Sequence, residues 1–244
     1  KLLNEKGEFI SGKEGEELIN IVDSGSYNYV EVDELGSVTN DDSYLQKHIQ
    51  SVLDLKLVDE VAVKNARFKV VVDAVNSTGG IFIPALLKSM GVEVIELYCD
   101  PTGYFPHNPE PLAENLTEIS KLVIDSNADL GIVVDPDVDR LAFVCNDGSM
   151  FGEEYTLVAV ADFVLQHTPG NSISNLSSTR ALSDVTVKNG GKYFASAVGE
   201  VNVVEKMKAE NAVIGGEGNG GIIYPDSHYG RDALVGVGLF LTHL

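Results

Sequence analysis

The chain has 244 residues, 44% hydrophobic and 22% charged, as in a soluble globular protein of one large or two ordinary domains. Its 17 basic and 37 acidic residues leave a formal charge of −20, which argues against nucleic acid or an anionic membrane as a partner. No apolar run approaches the ~18 residues of a membrane span, and Lys1-Leu2-Leu3-Asn4-Glu5-Lys6 is no signal peptide. Cys99 and Cys145 read as buried thiols in a reducing compartment, so a cytoplasmic protein is expected.

Residues 1–40 are acidic, dotted with glycine and periodic only over Glu14 to Val22; they read as the tail of a preceding domain. Asn40-Asp41-Asp42 then offers a cap for a helix over Ser43 to Leu55. Phe68 to Asp73 reads as a buried strand, Ser77 to Met90 as a helix stopped by Gly91, and Val92 to Leu97 as a second strand. Pro106 to Pro111 is a proline-punctuated loop, Glu114 to Asn127 a helix, and Leu130 to Val134 a third strand. Leu141 to Cys145 returns antiparallel. The pattern then restarts: helix Glu154–Gln166, strand Ser172–Leu176, helix Thr179–Lys188, strand Lys192–Ala197, helix Glu200–Ala209 and strand Ala212–Gly215. The alternation predicts two consecutive three-layer α/β domains with mostly parallel, mixed sheets, over 41–148 and 149–244, after the 1–40 remnant. The C-terminus falls within an apolar helical pattern from Ala233 to Leu244, and the whole reads as a piece of a longer chain.

Asp135-Pro136-Asp137-Val138-Asp139-Arg140 directly follows the third strand. In an extended segment alternate residues share a side, so the three carboxylates converge. Each pair at ~4 Å costs on the order of 4 kcal/mol at an effective dielectric of about 20. A divalent cation relieves that cost, and hard oxygen ligands suit Mg²⁺, Mn²⁺ or Ca²⁺. An acidic surface turn is the alternative. An EF-hand is excluded, because Arg140 and Asn146 stand where it needs glycine and glutamate. A haloacid-dehalogenase-type phosphatase also uses strand-end aspartates, but Asp139 stands where its threonine belongs.

Gly216, Gly218 and Gly221 match the dinucleotide pattern literally, yet Ile222-Ile223-Tyr224-Pro225 follows as strand and turn, so no helix opens there to meet a pyrophosphate. Glu217 as acceptor and Asn219 as donor and acceptor suit vicinal hydroxyls; a plain β-turn fits the stretch equally. His228 in Asp226–Asp232, and His107, read as structural, and Asp226–Asp232 can cap the last helix.

In this order the motifs resemble those of the α-D-phosphohexomutase family, over nearly the whole chain. Asp135, Asp137 and Asp139 look like its metal loop, and Glu217-Gly218-Asn219 its sugar-hydroxyl loop; Val198-Gly199-Glu200-Val201 and Gly230-Arg231-Asp232 also fit. The resemblance implies one Mg²⁺ per chain, a hexose phosphate substrate, and a phosphoryl shift between the 1- and 6-positions through a phosphoserine. It implies that Arg140 holds a phosphoserine oxygen, that Lys1 assists proton transfer, and that Glu200, Glu217, Gly218 and Asn219 meet the sugar. The family's Ser-His-Asn-Pro loop is not in this sequence: Pro106-His107-Asn108-Pro109 has proline where the serine belongs. Asn219 and Glu200 depart from the glucose/mannose pattern and point to a phosphoglucosamine or broad-range mutase. A non-catalytic sugar- or metal-binding module is the remaining alternative.

Overall fold

The computed structural model describes residues 2–244. The apolar runs become two four-stranded sheets. β1 (Lys69–Asp73), β2 (Glu93–Leu97), β3 (Leu130–Val134) and β4 (Leu141–Cys145) form the first, in the order β2-β1-β3-β4. β5 (Asn171–Asn175), β6 (Tyr193–Ser196), β7 (Ala212–Glu217) and β8 (Gly221–Ile223) form the second, in the order β6-β5-β7-β8. In each sheet the first two pairings are parallel and the last is antiparallel. The expected mixed, mostly parallel α/β architecture is therefore present twice.

Helices cover both faces of each sheet. Before the first strand come α1 (Gly12–Ser24), α2 (Tyr44–Leu53) and α3 (Glu60–Ala66). Within the first unit, α4 (Gly79–Ser89) covers the face carrying Val70, Val72, Ile132 and Val134. On the other face, α5 (Thr117–Ser126) sets Ile119 and Val123 against Val71, Val133 and Val144. In the second unit, α6 (Glu153–His167) and α7 (Ala181–Lys188) lie on one face, and α8 (Glu200–Ala209) packs Val203 and Met207 against Ile173 and Ile223.

The last helix, α9 (Ala233–His243), is apolar all round and buried from Ala233 to Leu241, as expected of a helix with no solvent face. It packs on α6 and β8 of the second unit and on α2, α3, α4 and β4 of the first, so one core spans both sheets. By contrast α1 has a full capping box, Ser11 with Glu14, but no buried residue; Leu18, Ile19, Ile21 and Val22 are exposed. No helix is long and apolar enough to cross a membrane among the described residues.

The expected helix at 43–55 starts at Tyr44. Asp41 accepts from the backbone N and hydroxyl of Ser43, making a turn ahead of the helix rather than capping it. The short helix α3 has no counterpart among the expected elements, because seven residues with one buried apolar side chain, Val63, leave no periodic signal.

Candidate functional site

β3 delivers the acids at its carboxyl end. Asp135 Oδ1 accepts from the backbone N of Asp139 and of Arg140, both at 3.0 Å, folding residues 135–140 back on themselves. Val138 takes φ = 60°, a costly conformation for a β-branched residue. It is pinned there: its N donates to Asp135 O at 3.2 Å, and its O accepts from Ala233 N at 3.1 Å. The hydroxyls of Ser77 and Thr78, just ahead of α4, donate to Pro136 O at 2.9 and 2.8 Å.

The result is three carboxylates whose ligand oxygens lie within 4.8 Å of one another, Asp135 and Asp139 buried and Asp137 exposed. Burial pushes the Asp135 carboxyl up to about 6; the Arg140 backbone N–H opposes this, and the charges of Asp139 and Asp137 add to it. A cluster of this density, all hard oxygen, fits a divalent cation of the Mg²⁺ class.

Arg231 joins this loop to the second unit. Its Nη2 donates to Asp139 Oδ2 at 2.7 Å, its Nη1 to Glu217 Oε2 at 2.9 Å, and its Nε to Glu200 Oε2 at 2.9 Å. Its backbone N donates to Glu200 Oε1 at 3.1 Å. The three acids come from the aspartate loop, the end of β7 and the first turn of α8. All four side chains are buried or nearly so, with Arg231 10% exposed, so these bonds are little screened by water. A cleft of about 310 Å³ opens beside them, lined by Asp137, Asp139, Glu200 and Arg231.

The predicted sugar loop lies at the same place in the second sheet as the predicted metal loop in the first. Glu217 accepts on Oε1 from Asn175 Nδ2 at 2.7 Å and from Gly199 N at 3.3 Å, besides Arg231 on Oε2. Gly218 N donates to Ser178 Oγ at 2.8 Å, and Ser178 Oγ donates to Asn175 Oδ1 at 2.7 Å, so the loop is wired to the residues after β5. Asn219 Oδ1 accepts from Gly221 N at 3.3 Å. The two loops come close where Leu141 N, at the start of β4, donates to Gly220 O at 3.0 Å.

Arg140 is half-buried at the end of the aspartate loop. Its Nε lies 3.7 Å from Asp135 Oδ2 without a hydrogen bond, and its Nη1 lies 3.7 Å from Glu110 Oε1. Such loose pairing leaves the guanidinium able to turn toward an incoming anion. Lys1 lies outside the described residues. His107 is a structural side chain, its Nε2 3.0 Å from Asp73 Oδ2. His228 accepts on Nδ1 from Gly230 N, so its Nε2 carries the proton and donates to Asp232 Oδ2 at 2.9 Å. Asp232 also caps α9 through Leu234 N and Val235 N.

Sequence reasoning matched Arg231 to a motif without giving it a place in the site. A signal was available: it is one of only four arginines in a strongly acidic chain, set between a glycine and a helix cap.

Comparison with known proteins identifies the two α/β units. Residues 42–148 match phosphoglucomutase/phosphomannomutase alpha/beta/alpha domain II, and residues 152–244 match domain III of the same family. A probable phosphoglucosamine mutase of Methanopyrus kandleri is 35% identical over 230 residues, 93% of this chain and 50% of that protein. A phosphoglucomutase/phosphomannomutase of Thermococcus kodakarensis is 33% identical over 214 residues, 87% of this chain and 46% of that protein. The chain thus spans about half the length of these relatives. The crystal structure of a phosphoglucomutase/phosphomannomutase family protein from Burkholderia thailandensis superposes with a TM-score of 0.81 at 28% identity, covering 95% of this chain and 50% of that one. The chain belongs to the α-D-phosphohexomutase superfamily, of which it carries the central domains II and III.

Proposed function

We propose that this chain supplies the metal-binding and sugar-reading part of a phosphohexomutase active site, and that the whole protein moves a phosphoryl group between the 1- and 6-positions of a hexose phosphate. The observation that carries the reading is the cluster of Asp135, Asp137 and Asp139 at a strand end, tied through Arg231 to Glu217 and Glu200. Ligands of open α/β sheets sit beyond the carboxyl ends of strands, and both loops lie there.

Asp135, Asp137 and Asp139 would hold one Mg²⁺, which when bound neutralises charge on the phosphoryl group in transit. Arg140, loosely paired, would donate to a phosphate oxygen. Lys1 would assist proton transfer. Glu217, Gly218, Asn219 and Glu200 would orient the sugar, with Glu217 held for that task by Asn175 and Arg231. The phosphoserine would come from outside this sequence, so the chain alone would turn over no substrate. Asp135 is poorly suited to be a phosphatase nucleophile, since its Oδ1 already closes its own loop through two backbone N–H groups. Glucosamine, glucose and mannose phosphates are the candidate substrates, in a cytoplasmic enzyme.

Calorimetric titration with Mg²⁺ tests the metal half. The expected result is one ion per wild-type chain and at least about tenfold weaker binding by Asp137→Asn, the exposed acid whose loss least disturbs the loop; equal binding by the two would overturn it. Assay of the full-length protein with the three sugar phosphates, with Arg140→Ala as control, tests the rest.

A further inference from the structure

Asp139 and Glu217, one in each predicted loop, are bonded to the same guanidinium. We propose that Arg231 is a positioning residue that couples occupancy of the metal loop to the hydrogen bonding of Glu217. The inference rests on the metal reading of Asp135, Asp137 and Asp139.

The geometry makes coupling hard to avoid. A cation bound by the metal loop draws on the Asp139 carboxylate that Arg231 Nη2 already holds at 2.7 Å. Two cations then compete for one acceptor at a site shielded from bulk water. When the metal wins, the guanidinium charge falls on Glu200 and Glu217. When another donor engages Glu217, the guanidinium leans harder on Asp139 and weakens the metal. Such linkage is reciprocal by thermodynamic necessity.

The surroundings allow movement only at the tip of the side chain. Arg231 N is fixed to Glu200 Oε1, and the next residue, Asp232, caps α9. A Cβ on Gly221 would stand 2.3 Å from Arg231 Cδ, so the arginine reaches the metal loop across a point where β8 has no side chain.

The test is a double-mutant cycle read by metal affinity. Mg²⁺ is titrated into the wild-type chain, Glu217→Gln, Arg231→Lys, the double variant and Asp137→Asn, each checked for folding by circular dichroism. Lysine keeps the charge but cannot bridge three carboxylates. Glu217→Gln, which removes no metal ligand, is expected to weaken Mg²⁺ binding at least about fivefold, and the same change in the Arg231→Lys background should do much less. Addition of Mg²⁺ to the wild-type chain should also move the side-chain carboxylate ¹³C resonance of Glu217, which keeps the coupling testable even if Arg231→Lys fails to fold. An unchanged affinity in Glu217→Gln would overturn the coupling, as would an unmoved Glu217 carboxylate resonance or an equal Glu217→Gln effect in both backgrounds. If Asp137→Asn binds like wild type, or the wild-type chain binds nothing, the metal reading itself fails and the coupling with it.

Discussion

The two α/β units share one topology and use it differently. Each has the same strand order, the same two parallel pairings and the same antiparallel final strand. Each puts its distinctive loop between the third and fourth strands of the unit: residues 135–140 in the first, 218–220 in the second. The first loop is long enough to bring three carboxylates together, two of them buried, and holds a strained Val138 in doing so. The second is a glycine turn that offers backbone and amide groups, its one acid, Glu217, being the last residue of the strand itself. The fold therefore supplies only the position; the chemistry is set by loop length and composition. The units differ in their cores too. The buried centre of β1, Val70 to Val72, and all of β3 are apolar, whereas β5 at the centre of the second sheet buries Ser172 and Ser174. Their hydroxyls are satisfied by Thr186 at 2.5 Å and Tyr193 at 2.9 Å, which keeps burial affordable.

If the units were independent, a core change in one would leave the other standing. α9 argues otherwise. Phe240 stacks on Phe143 of β4 with ring centroids 3.8 Å apart, so Phe240→Ala opens a cavity at the seam. We expect a loss of about 3–5 kcal/mol in urea unfolding, with near-UV and far-UV signals shifting together. Two separated transitions would show that the seam does not bind the units into one cooperative block. Gly236→Val should act at the same seam more gently. A Cβ there would stand 2.6 Å from Ile222 Cδ1 in β8 and 2.8 Å from Leu141 Cδ2 in β4, one atom from each sheet. Overpacking of this kind costs about 1–3 kcal/mol; an unchanged midpoint would mean that the sheets part freely.

The same seam marks what a sequence can and cannot disclose. β1, β3 and the acids that follow β3 were legible because an apolar run ending in charges is a local signal. β5 was readable as a strand from its spacing, but not its burial, since its serines find their partners on α7 and β6. The apolar pattern of α9 implied a helix without a solvent face but not what it packs against; it meets α2, α3 and α4 from far along the chain, and Asp59 N donates to Thr242 Oγ1 across 183 positions. Arg231 was opaque for the same reason. Its acid partners Asp139, Glu200 and Glu217 are scattered along the chain, and nothing local to Gly230-Arg231-Asp232 reveals that they converge.

A smaller effect should come from the second ionic link across the seam. His48 of α2 lies with Nε2 2.9 Å from Asp232 Oδ2, the carboxylate that also receives His228. The Asp232 hydrogen bond raises the His48 pKa above its ordinary 6.5, partly offset by burial and aided by the Asp232 charge. Burial alone would raise Asp232, but the hydrogen bonds from His228 and His48, with the charge of protonated His48, hold it well below the usual carboxylate range. A histidine raised in the folded state contributes stability that is full below its unfolded pKa and is lost as pH rises through the folded one. Wild-type stability should therefore decline from pH 6.5 into the mildly alkaline range, and His48→Gln should remove that decline. Because the His48 side chain is 31% exposed, the difference should stay within about 1 kcal/mol and shrink in high salt. Thermal unfolding of both proteins across this range is the measurement. Parallel profiles would mean that His48 fills space between the units without a charge-dependent hold on Asp232, leaving α9 and Arg231 as the links that keep the two loops in register.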